Sequence, residues 1–359
     1  MHSGDGPIST AWYVMMSARG TGIPQNSVWT GVSTGNPTFR PGLAYEGATT
    51  ISPVVSISAI VPATNEPATL DACTAAIRRA EQPPEELIVI TEASGRGPAA
   101  ARNLGARDAS GDILAFVDAD VVVHEDAFAR IRAAFADDPG LVAVFGSYDD
   151  APSADGVVTA FRNLLHHFVH QSSPGEASTF WAGLGAIRRD AFVAVGGFDE
   201  RRYREPSIED IELGMRLSAR GKRLVLDPAL QGTHLKHWSL GEMLRTDFRK
   251  RGVPWVRLML ETRDPSSALN LGWRHRLSAG LSLIGAWAVV GRRPRLAALS
   301  VVGVVALNRS FYGLLWRRQG PMRSAAGVGL HALHHLTSVA AVPIGVVAHL
   351  LESRRNDSA

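Results

Sequence analysis

The sequence predicts an α/β domain, a mostly parallel sheet flanked by helices, followed by C-terminal helices that enter a membrane. Three observations carry this. From about residue 54, short apolar runs alternate with amphipathic stretches of helical period. Three of those runs stop abruptly at polar clusters. The C-terminal third is far more apolar than the middle.

The first 52 residues are rich in Gly, Ser, Thr and Pro and hold no period of 2 or 3.6. They are expected to form a disordered extension. They lack the basic start and apolar centre of a secretory signal.

The α/β domain is expected over 53–250. "VVSISAIVPATNE" reads as a buried strand over 54–61, running through Pro62 into a polar loop with Asn65 and Glu66. "LDACTAAIRR" then places Leu70, Cys73 and Ile77 on one helical face. A second strand over 86–90 ends at Thr91-Glu92, and a helix opens near Gly97-Pro98. "DILAFVDAD" is a third strand, "HEDAFARIRAAFADDP" a helix and "LVAVFGSY" a fourth strand. In such sheets ligands gather at the carboxyl ends of the strands. Three of those ends carry Asn65-Glu66, Glu92 and Asp118-Ala-Asp120.

The last pair is the most informative. Read as strand, Asp118 and Asp120 point to one face. Two carboxylates side by side are costly unless a cation lies between them. A second acidic pair, Glu209-Asp210, opens a later helical pattern, where the helix dipole favours acidic residues in any case. After the strand "KRLVLDPAL", His234 gains interest only if a metal is present, and a helix starts at Ser239.

Composition narrows the partners. A net charge of +3 gives no reason to expect nucleic acid. The single cysteine, Cys73, excludes an intramolecular disulfide and fits a reducing compartment.

Taken in order, "VPATNE", "GPAAARNLGA", "GDILAFVDADV", "GLGAIRRDAFVAVGGFDE" and "EDIELGMRLSARGKRLVLDP", with the histidine after the last strand, resemble the family-2 inverting glycosyltransferases of GT-A fold. The resemblance spans about 54–255. It implies a nucleotide-diphosphate-sugar donor and a bound Mg²⁺ or Mn²⁺ that neutralises the leaving diphosphate. It implies Asp120 as the direct metal ligand, Asp118 nearer the ribose or the metal's water shell, and His234 completing the metal or diphosphate site. Asp210 becomes the general base toward the acceptor hydroxyl, supported by Glu209. Pro62, Asn65, Glu66 and Glu92 fall on the donor side. Arg102 is open between a diphosphate contact and a solvated helix arginine. Trp181 is open between an acceptor-stacking surface and a core residue.

Departures from the family pattern concern specificity. Thr64 stands where an aromatic residue is usual, and Thr91-Glu92 where an acidic pair is usual. The Gln-x-x-Arg-Trp signature of processive synthases is missing, which favours transfer of one sugar. A polyprenyl-phosphate sugar transferase would differ only in its acceptor, and two alternatives of other classes remain. A nucleotidyltransferase would want a Gly-rich phosphate loop in place of "VPATNE". The other is a non-enzymatic, membrane-bound nucleotide-sugar-binding or assembly protein with a decayed site.

Residues 251–274 are basic and aromatic and suit an interfacial helix on an anionic membrane. Apolar stretches over 277–290, 296–316 and 325–351 predict two or three membrane helices within 275–352. Arginines flank all of them, so charge gives no clean orientation. The histidines within them, 331, 334 and 335, are open between lipid-phosphate contact and packing inside the bundle. Cytoplasmic nucleotide sugars place the catalytic domain on the cytoplasmic face of a multi-pass plasma or inner-membrane protein. Its acceptor is then a lipid or lipid-linked glycan of the cell envelope.

Overall fold

The computed structural model describes residues 55–64, 67–92, 97–262 and 272–356. The expected N-terminal extension, Asn65 and Glu66 lie outside them. Every element below belongs to one compact unit, Val55–Ala359.

The strands are β1 (Ile57–Pro62), β2 (Glu86–Ile90), β3 (Ile113–Val117), β4 (Val121–Val123), β5 (Leu141–Tyr148), β6 (Gly175–Ala177), β7 (Leu184–Arg188) and β8 (Arg223–His234). They order as β2-β1-β3-β7-β5-β8-β4, with β6 beside β8. The sheet is mixed. β1 pairs in parallel with β2 and β3, and β5 with β8, but β7 runs antiparallel between β3 and β5. The alternating pattern of strand and helix foretold the parallel half. The inserted β7 gave no such warning, because "LGAIR" is too short to stand out in the sequence.

Helices α1 (Leu70–Arg79), α2 (Gly97–Asp108), α3 (Ala127–Asp137), α4 (Val157–Gln171), α5 (Arg189–Ala194) and α6 (Glu209–Ala219) flank the sheet. The sheet is buried on both faces, so β3 is wholly apolar and both β3 and β5 are enclosed along their length. One face packs Ile77, Phe128 and Ile131 against Val61 and Val117. The other packs Phe192, Phe198 and Leu213 around Phe116 and Phe145. Gly214 lets α6 approach closely: a Cβ there would lie 2.2 Å from the backbone nitrogen of Phe180.

After β8, Ser239 caps α7 (Leu240–Arg245) through a reciprocal capping box with Glu242. The chain continues through a π-helical segment, Thr246–Gly252, into α8 (Val253–Thr262). Then follow α9 (Trp273–Val290), α10 (Pro294–Leu307) and α11 (Arg309–Asn356).

The apolar stretch 296–316 is not one helix. It breaks at Asn308, whose side chain donates to Ser278 Oγ of α9 at 2.8 Å and to Val304 O. α11 is kinked at Gly320, where φ is 74° and Pro321 follows. Among the described residues one helix, Arg309–Arg354, is long and apolar enough to cross a membrane. Leu283, Trp287, Leu299, Val302, Ile344 and Val347 turn outward on these helices. That is far more exposed apolar surface than a water-facing bundle carries.

The C-terminal helices are not a detached tail. Phe161 and Leu164 of α4 pack with Phe311 and Leu315 of α11. Arg162 of α4 donates to Asp247 at 2.8 Å, and His334 of α11 approaches the other oxygen of Asp247 at 2.8 Å. His331 meets the Tyr312 hydroxyl, and His335 is buried beside His331 and His275. These histidines pack within the bundle.

Candidate active site

Asp118-Ala-Asp120 does not lie in a strand. β3 ends at Val117, and the pair forms a turn closed by Val121 N donating to Asp118 O. Thr69 Oγ1 donates to Ala119 O at 2.9 Å, and the Cys73 thiol lies 3.5 Å from Asp118 O. The turn sends its two carboxylates to different partners, which corrects the expectation that they share one face of a strand.

Asp118 faces Arg102. The guanidinium of this α2 residue donates to Asp118 Oδ1 at 2.6 Å and to Glu209 Oε1 at 2.9 Å. It lies over the Phe198 ring and is 5% exposed. Arg102 is therefore no solvated helix arginine. It is a buried clamp between the β3 turn and the start of α6. Burying three charges together is tolerable because each is paired.

Glu209 accepts in addition from Ser207 N at 2.8 Å. Its neighbour Asp210 is only half-buried. Ala182 N donates to Asp210 Oδ2 at 3.1 Å, and Ile211 N to Oδ1 at 2.8 Å. Burial, then the adjacent Glu209 carboxylate, push the Asp210 pKa up to about 6, although Arg102 pulls the other way. A carboxylate tuned to this range and open to solvent on one side can accept a proton near neutral pH.

Asp120 faces His234 at the end of β8. His234 Nε2 is 3.4 Å from Asp120 Oδ2. On the other side of the ring, Nδ1 lies 2.7 Å from Asn163 Oδ1. A carbonyl oxygen there places the proton on Nδ1 and leaves the Nε2 lone pair aimed at Asp120. Two electron-rich atoms in that relation need a proton or a cation between them. His234 also stacks on Tyr148, with centroids 4.2 Å apart. Among the described residues no group of three or more His, Cys, Asp or Glu surrounds one point. Asp120 and His234 offer two ligands, which suits a cation whose remaining positions are filled by substrate oxygens and water.

Trp181 is partly buried against Tyr148, His166 and His170. A Cβ on Gly183 would lie 2.4 Å from its indole. It precedes Ala182, so the segment that holds the indole also supplies the N–H for Asp210. Pro62 pairs in register with Ile90 at the carboxyl ends of β1 and β2. Glu92 is exposed two residues beyond β2. The fold thus gathers Arg102, Asp118, Glu209 and Asp210 in one network and links Asp120, His234 and Trp181 through Tyr148. Pro62 and Glu92 share the sheet edge without joining that network.

Asn163, Tyr148, Thr69 and the Ala182 N–H were not foreseen as site residues. Asn163, the half-buried His166 and the buried His170 fall on α4, within "FRNLLHHFVHQ". The accumulation of histidines there was the one available signal.

Residues 84–196 match the model of glycosyl transferase family 2. No curated protein matches the chain. Three solved structures are similar to it at low identity. A mannosyltransferase from Pyrobaculum calidifontis, in complex with GDP-Man and Mn²⁺, is 16% identical with a TM-score of 0.46. The match covers 83% of this chain and 88% of that one. GalNAc-T7 with UDP, GalNAc and Mn²⁺ is 14% identical, covering 64% of this chain and 51% of that one, with a TM-score of 0.44. S. aureus TarS 1–349 is 13% identical, covering 79% and 90%, with a TM-score of 0.40.

Proposed function

We propose that this chain, which carries a glycosyl transferase family 2 domain, moves a sugar from a nucleotide diphosphate sugar to a membrane-borne acceptor with inversion. The observation that carries the reading is Asp210: a half-buried carboxylate, oriented by the Ala182 N–H and raised to about pKa 6, at the carboxyl edge of the sheet. Asp210 takes the proton of an acceptor hydroxyl as that oxygen attacks the anomeric carbon. The bond from the anomeric carbon to the diphosphate breaks, and its electron pair leaves with the nucleoside diphosphate. Glu209 does not touch the acceptor. It locks Arg102, which fixes the start of α6 against the Asp118 turn.

Asp120 and His234 Nε2 would hold a divalent cation, Mg²⁺ or Mn²⁺, with Asp118 beside it toward the donor. The cation supplies neutralisation of the negative charge gathering on the leaving diphosphate. Trp181 offers an apolar ring beside the acceptor path. Pro62 and Glu92 line the donor side, where Glu92 accepts from a base N–H; the resemblance assigns Asn65 and Glu66, outside the described residues, to the same role.

The membrane part follows from the apolar α11 and from the outward-facing residues of α9 and α10. On this reading the chain is a multi-pass protein of the plasma or inner membrane, with its catalytic domain in the cytoplasm beside the nucleotide sugars; the long apolar α11 supports the membrane association. The acceptor is a lipid or lipid-linked glycan of the cell envelope, and 1–52, 53–250, 251–274 and 275–352 are extension, catalytic domain, interfacial linker and membrane region. The test is nucleoside diphosphate release from UDP-, GDP- and dTDP-sugars by the detergent-purified protein with Mn²⁺ or Mg²⁺. Lipid extract should stimulate release in the wild type and not in Asp210→Asn.

A further inference from the structure

One cavity is not used by the mechanism above. It has a volume of about 340 Å³ and lies where the Arg202–Ser207 segment faces the helices that follow β8. Its wall is strongly cationic: Arg202, Arg204, Arg245, Arg249, Lys250 and Arg257, against a single lining carboxylate, Glu205. Arg202 is committed to Glu261, and Arg257 to Glu352. Arg204, Arg245, Arg249 and Lys250 have no carboxylate partner among the described residues. Four unneutralised cations converging on one concavity repel each other, and an anion in the cavity removes that cost. Tyr203 lines the same wall. It is 4% exposed, yet its hydroxyl has no hydrogen-bond partner among the described residues. A buried polar group left unsatisfied is a recurrent mark of a ligand site.

Two further relations say what kind of anion fits. First, Ser207 belongs to the cavity wall, its N–H holds Glu209, and its hydroxyl donates to Lys250 O at 2.7 Å. The cavity thus adjoins the start of α6, where Asp210 stands. Second, the opposite wall is one packing layer from the long apolar helix. A Cβ on Gly252 would lie 2.7 Å from the Cβ of Ala341, and one on Gly345 would lie 2.6 Å from the Cβ of Val256. Arg257 and Glu352 pair across the same junction.

We infer that this cavity binds the phosphate or diphosphate head group of a lipid acceptor, anchoring it between α11 and Asp210. The inference rests on the proposed function and narrows its acceptor class to phosphate-bearing lipids. Guanidinium groups recognise phosphate oxygens through paired N–H donors. The phosphate is the anchor and not the nucleophile, because a second anion against the Asp210 carboxylate is repelled. A hydroxyl elsewhere on the head group is the attacking atom.

The experiment measures binding to the full-length protein in detergent by calorimetry. The probes are short-chain phosphatidic acid, inorganic diphosphate, and short-chain diacylglycerol as the uncharged lipid. Phosphatidic acid should bind more tightly than inorganic diphosphate, and diacylglycerol should not compete. Arg245→Gln with Arg249→Gln should weaken phosphatidic acid by about tenfold or more, and the matching Arg→Lys pair should restore part of the loss. All three arginines, 204, 245 and 249, are exposed, so the folded state tolerates these changes. Equal affinity for inorganic diphosphate and phosphatidic acid would overturn the lipid assignment. Phosphatidic acid binding unchanged by the Gln variants would overturn the cavity. Asp210→Asn separates the two readings: it should abolish transfer while leaving phosphatidic acid binding intact. Transfer retained in that variant counts against Asp210 as base and not against the cavity.

Discussion

Arg102 donates to Glu209 across 2.9 Å, joining two helices 107 residues apart in sequence. Its other terminal nitrogen reaches Asp118, so one side chain fixes the Asp118 turn and the start of α6 relative to each other, the two parts that the proposed function assigns to donor and acceptor. Catalysis between two bound substrates depends on that relation, because a displacement of about 1 Å is enough to cost a hundredfold in rate.

Arg102→Met should therefore cost more than an exposed ion pair. It leaves Glu209 buried without its partner, a loss of about 3–5 kcal/mol. Chemical denaturation of the detergent-solubilised protein checks this. A shift of less than 1 kcal/mol would make the clamp dispensable.

Little of this clamp was legible in advance. The apolar runs gave β1, β2, β3 and β5, and the polar ends of the parallel β1, β2 and β3 fall on one edge of the sheet. Asp210 and His234 stood out by type and order. Arg102 sits in an alanine-rich helix, and its partners lie 16 and 107 positions away, so no local spacing reveals them. The Asp118-Ala-Asp120 pair misled for the opposite reason. The two-residue spacing holds only while the chain stays extended, and the turn after Val117 ends that. β7 is central yet short, and its antiparallel course depends on pairing with β3 and β5.

Asp210→Asn should lower turnover by about 10²–10⁴-fold. In the wild type, activity should rise with pH through about 6, as Asp210 loses its proton. The stability effect has the opposite sense. A carboxyl whose folded pKa lies above its usual 3.8 binds its proton more tightly when folded. Its contribution to stability falls as pH rises from about 4 to about 6. The Asn variant should therefore be at least as stable as the wild type at pH 8, read by thermal unfolding.

Asn163 should tune the cation without touching it. Asn163→Ala removes the acceptor at His234 Nδ1 and frees the tautomer. Apparent Mn²⁺ affinity, from the metal dependence of turnover, should weaken by about 10–100-fold. An unchanged metal dependence would remove His234 from the cation site.

Asp247 joins α4 of the α/β domain to α11. Burial alone would raise its carboxyl, but Arg162 and His334 outweigh this and hold the pKa at about 2. The folded pKa is depressed, so this contribution is present above about pH 4 and is lost as pH falls through about 2. Asp247→Asn strands the buried Arg162 and should destabilise the protein by about 3–5 kcal/mol. Acid unfolding of wild type and variant measures both effects.

Gly214→Ala tests how far packing sets the base. A methyl group there meets the backbone of Thr179 and Phe180 and must displace the segment that carries the Ala182 N–H. Stability should fall by about 1–3 kcal/mol. Turnover should fall with it, and the pH midpoint near 6 should move, since one hydrogen bond to Asp210 is lost.

The most direct measurement is nucleoside diphosphate release by the full-length protein in detergent, with Mn²⁺ and a nucleotide-sugar panel, with and without phosphate-bearing lipid. Release that is stimulated by the lipid and abolished by Asp210→Asn is the predicted result. Lipid-stimulated release that survives Asp210→Asn would contradict the assignment of Asp210 as the base.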